Sequence, residues 1–61
     1  MSAPAMVTVY DGREALGFVL SRGKSGWEAF AREEVSLGLF PTQAEAANAV
    51  FDAAENEVGA G

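Results

Sequence analysis

Apolar and polar residues alternate through the first two thirds of the chain, and the period then lengthens. Met6-Val7-Thr8-Val9-Tyr10 is alternating and β-branched, which predicts a strand over 6–10. Asp11-Gly12 follows as a turn signal. Leu16-Gly17-Phe18-Val19-Leu20-Ser21 predicts a strand over 16–21, Trp27-Glu28-Ala29-Phe30-Ala31 one over 27–31, and Val35-Ser36-Leu37-Gly38-Leu39-Phe40 one over 35–40. Arg22-Gly23-Lys24-Ser25-Gly26 and Arg32-Glu33-Glu34 are the turns between them. From Thr42 onward the apolar spacing becomes three and four, through Ala44, Ala47, Phe51, Ala54 and Val58, with Val50 beside them. That is a helix over 42–57, with Phe51 and Val50 expected to supply its buried bulk. Thr42-Gln43-Ala44-Glu45 has the spacing of a capping box, and Gly59 and Gly61 end the helix or continue as a tail. Connections this short make the strands antiparallel. The prediction is therefore an α+β fold in one domain over 1–61. A three- to four-stranded antiparallel sheet packs on one C-terminal helix, behind a loose tail at 1–5.

Alternation also predicts which side chains meet the helix. On the third strand Trp27, Ala29 and Ala31 form the uncharged set and should face it. On the second, Leu16, Phe18 and Leu20 should face it, and on the fourth, Leu37 and Leu39. The far face is then left with Val19, Phe30 and Phe40 among Ser21, Glu28 and Arg32. A partly apolar sheet face without a covering layer is a contact surface. Val19 and Phe30 are its expected anchors, with Tyr10 on the added first strand.

Size sharpens this expectation. A chain of 61 residues buries only roughly 60% of its unfolded surface, so self-association would add core that it lacks. There is no Cys, which excludes disulfides and thiolate metal sites, and no His, which removes the commonest metal ligand and general base. No cofactor or metal is expected. Neither a leader pattern nor a membrane-length apolar run is present, so a cytoplasmic setting without membrane contact is the expectation.

The net charge of −5 is unevenly placed. Arg13, Arg22, Lys24 and Arg32 all lie in the first 32 residues, and the remainder carries Glu33, Glu34, Glu45, Asp52, Glu55 and Glu57 with no basic residue. The acidic half opposes polyanions and reads as a solvated helix face. Gly23-Lys24-Ser25 resembles the end of a phosphate-binding loop, but the spacing from Gly17 is one residue too long and the loop leads into a strand. The glutamates fall in a turn and on a polar helix face, where nothing shifts them toward acid–base work.

A family resemblance rests on Gly17-Phe18, on Gly26-Trp27-Glu28-Ala29-Phe30, on Leu37-Gly38-Leu39-Phe40-Pro41-Thr42 and on the helix run Ala44 to Ala54. Together these stretches resemble the plant ethylene-response (Apetala-type) DNA-binding domain and its relatives in mobile-element integrases. Small bacterial or phage-derived proteins are the nearer kin that this pattern suggests. The resemblance implies a three-stranded antiparallel sheet on one helix, whose outer face binds the major groove through arginines and tryptophans. The corresponding positions here hold Val19, Ser21, Phe30 and Ser36, and only Arg32 keeps a basic side chain. Fold alone does not carry function.

The function expected from the sequence is a small, non-catalytic protein-interaction module that self-associates as a homodimer, or takes a protein partner, through Val19, Phe30 and Tyr10. The alternative is a nucleic-acid-binding accessory domain of mobile-element or phage origin, using Arg13, Arg22, Lys24 and Arg32.

Overall fold

The computed structural model describes residues 5–58. The predicted tail lies largely outside the described residues, as do the glycines after the helix. Strands β1 (Met6–Asp11), β2 (Glu14–Ser21), β3 (Trp27–Ala31) and β4 (Ser36–Phe40) are followed by helix α1 (Gln43–Val58). The strands form one antiparallel sheet in the order β1-β2-β3-β4, each joined to the next by a short turn. Helix α1 packs on one face of it, mainly over β2 and β3. The α+β architecture is thus the one the hydrophobic pattern predicts.

The helix starts where its cap signals place it. Thr42 Oγ1 accepts a hydrogen bond from the Glu45 backbone N–H at 3.1 Å, and Thr42 O accepts the first helical bond from Ala46 N. Helix and sheet meet over a floor of small residues. Ala29, Ala46, Val19 and Val50 are fully buried, with Val9, Leu16 and Ala31 nearly so, and Trp27, Leu37, Phe40, Ala47, Ala49 and Ala54 pack around this cluster.

Two bulges reset the faces of the sheet. Val9 pairs with Gly17 and Tyr10 with Ala15, which leaves Leu16 as an extra residue on β2. Ala29 pairs with Gly38 and Phe30 with Ser36, which leaves Leu37 extra on β4. One extra residue inverts the alternation beyond it. Val19, expected on the far face, is therefore wholly buried under the helix, while Phe18 and Leu20, expected inside, lie on the far face. On β4 the same inversion buries Phe40 against the core and leaves Leu39 exposed. Leu16 and Leu37 remain on the core side as predicted.

Gly17 follows the first bulge and marks a close approach of helix and sheet. A Cβ on this residue would stand 2.1 Å from the Phe30 carbonyl oxygen and 2.9 Å from Val50 Cγ1. Only glycine allows the helix and β3 to close over this point. Val50 fills the space above it, so the buried stripe of α1 runs through Ala46 and Val50. Ala44 is exposed and Phe51 is partly so. The helical period was legible, but the helix is rotated by about one residue position from the predicted stripe. A phenyl ring at position 50 would hold the helix off this floor of Gly17, Ala29 and Ala31.

Candidate contact surface

With α1 on one face, the other face of the sheet has no covering layer. Antiparallel partners share a face, so the registers define its rows. One row runs Met6, Leu20, Glu28, Leu39, and the next Thr8, Phe18, Phe30, Ser36. Phe18 and Phe30 stack across β2 and β3 with ring centroids 4.7 Å apart and planes inclined by 13°. Such a pair contributes about 1 kcal/mol beyond its buried area. Both rings and Leu20 are half-buried within the single chain, so the middle of the open face is largely covered by its own side chains.

Exposure is concentrated at the edge instead. Among the described residues, the large apolar side chains most open to solvent are Met6 (60%), Tyr10 (58%), Val35 and Leu39 (55% each), Phe51 (38%) and Val7 (37%). Half of these belong to β1. Of the expected anchors, Tyr10 is displayed at the free edge, Phe30 is half-covered by Phe18, and Val19 belongs to the core. Phe18, Leu20 and Leu39 are the open-face residues that strict alternation missed. The signal that could have found them is the glycine inside each of the two strands, a mark of a bulge or a close approach.

The one carboxylate in the middle of this face is tied down. Glu28 Oε1 accepts from Arg22 Nε at 2.8 Å, and Glu28 Oε2 accepts from the Ser36 hydroxyl at 2.7 Å. Those bonds hold its carboxyl below the ordinary glutamate range, the Ser36 bond first and Arg22 second. Ser36 Oγ also accepts from the Gly38 backbone N–H at 3.3 Å, which links this carboxylate to the β4 bulge.

The four basic residues are not gathered into one site. Arg22 pairs with Glu28 and Arg32 with Glu14. Arg13 sits in the β1–β2 turn and Lys24 in the β2–β3 turn, so the length of β2, about 26 Å, separates them. Glu45, Asp52 and Glu55 are exposed on α1, on the opposite side of the sheet from the open face. Among the described residues, no cluster of three or more acidic side chains is placed to hold a metal ion, and no helix is long and apolar enough to cross a membrane.

No protein family, no curated protein and no solved structure matches the chain.

Proposed function

We propose that this chain is a small, non-catalytic protein-interaction module that associates with a second copy of itself through the β1 side of its sheet. The observation that carries the reading is the display of Met6, Val7 and Tyr10 along a sheet edge, beside an open face whose middle is half-covered by the stacked Phe18 and Phe30. Charge supports the choice of occupant. Residues 6–10 carry no charge, so two copies can meet there in spite of a net charge of −5 per chain. The exposed carboxylates of α1 lie over the other face and mainly over β2 and β3, which keeps like charges apart. The lack of His and Cys, with the remaining carboxylates solvated or paired, supports a non-catalytic role.

One strand edge is a small interface, which places the expected association in the micromolar range. Sedimentation velocity from about 5 to about 500 µM at physiological salt is the direct test. A sedimentation coefficient that rises with concentration to the dimer value is expected. A coefficient that stays at the monomer value throughout overturns the reading.

A further inference from the structure

The backbone of β1 specifies more than a tendency to associate. Ser21 N donates to Ala5 O at 2.8 Å, which turns the Ala5 backbone toward β2. In an antiparallel pair the hydrogen-bonding direction alternates by residue. Val7 and Val9 therefore also bond toward β2, while the N–H and C=O groups of Met6, Thr8 and Tyr10 point away from the sheet, along its free edge. Those three residues are evenly spaced and symmetric about Thr8.

We infer that β1 pairs antiparallel with β1 of a second copy about a two-fold axis through Thr8, joining two four-stranded sheets into one of eight strands. This rests on the self-association reading and specifies its geometry. A two-fold axis normal to the sheet keeps each face on its own side, so opposed residues must have the same parity in the chain. Among the registers that satisfy this, centring on Thr8 uses every outward group. Thr8 faces Thr8, Met6 of one copy faces Tyr10 of the other, and about six hydrogen bonds form. A shift that moves the axis to Val7 or Val9 loses a pair at one end.

The side chains agree with this register independently of the backbone. Met6 against Tyr10 covers the two most exposed apolar residues of the strand, and Val7 against Val9 covers the third on the helix side. Asp11 falls opposite Ala5, away from another charge. The opposite edge, β4, is not equivalent. It is five residues long, is bent by the Leu37–Gly38 bulge and is followed at once by Pro41.

Amide hydrogen exchange on the full wild-type chain, read residue by residue by NMR at low and high concentration, tests the register. The amides of Met6, Thr8 and Tyr10 should all gain protection of about tenfold or more as the dimer forms, while that of Leu39 on β4 stays constant. Thr8→Pro supplies the second arm. It deletes an N–H that faces the free edge, so it should leave the circular dichroism spectrum intact and weaken dimerisation about tenfold or more. A dimer in which Thr8 protection is unchanged, or one that Thr8→Pro leaves at full strength, overturns the edge pairing but leaves self-association standing. A wild-type chain that is monomeric at every concentration removes both. If Thr8→Pro does not fold, the exchange measurement decides alone.

Discussion

Strands β1 and β4 both end the sheet, and they end it differently. β1 keeps its own backbone regular, because the bulge opposite it lies on β2. It is uncharged through Tyr10, has no proline, and displays Met6, Val7 and Tyr10. β4 carries the bulge itself, with Gly38 at a φ of 112°, and its first residue is occupied with Glu28. Its main exposed apolar residue is Leu39. Bulges, brevity and a nearby proline are the devices that keep a sheet edge from adding a strand. One edge of this molecule has them and the other lacks them, so β1 is the edge whose backbone is left regular.

The largest expected effect breaks the assignment of directions on β1. Val7→Pro removes an N–H that bonds toward β2, in contrast to Thr8→Pro. It should cost about 2 kcal/mol, or roughly 10 °C in Tm for a domain this small, measured by thermal denaturation. Equal melting temperatures for the two proline variants would mean that the backbone directions are misassigned, and the two-fold register would fall with them.

A smaller effect concerns the turn that leads into β4. Glu33 and Glu34 both have positive φ, 68° and 64°, a conformation that costs a non-glycine residue roughly 1 kcal/mol or more. Two central residues of this kind suit Asn-Gly, the favoured pair of tight hairpins. Replacing Glu33 by Asn and Glu34 by Gly together should raise stability by about 1 kcal/mol, seen as a higher denaturation midpoint, with dimerisation through β1 unchanged. A loss of stability would show that the two glutamates make contacts that outweigh their backbone strain.

The smallest effect separates the edges by pH. The Glu28 carboxyl is held low by Ser36 and Arg22, so the folded state favours its ionised form. Its contribution is therefore present above the ordinary glutamate range and is lost as the pH falls through the lowered value. Acid should loosen β4 where Ser36 holds Glu28, before it affects the β1–β2 pairing. Amide exchange at Gly38 and Leu39, followed across that range in wild type and Glu28→Gln, checks this. The variant should lack the pH step, and a step that persists in it would belong to another carboxylate.

Much of the fold was legible in local sequence. Alternation located four strands, and Thr42 and Glu45 located the start of the helix. The contact surface was legible only in part. Of the residues expected there, Tyr10 lies exposed on the edge strand. Val19 was misplaced because a bulge at Leu16 inverts every position after it, and the bulge is decided by which residue of β1 lies opposite. Gly17 was visible as an interruption, but its meaning depends on Val50 and the Phe30 carbonyl, which are distant in the chain.

The sequence by itself determined the elements and their order, because these follow from local backbone preference and from the periods of strand and helix. The tertiary structure alone decided on which strands the inward and outward positions exchange, which arginines are neutralised by glutamates, and which sheet edge is left regular. Those outcomes depend on register between strands, and register is a property of pairs of segments that no single segment encodes.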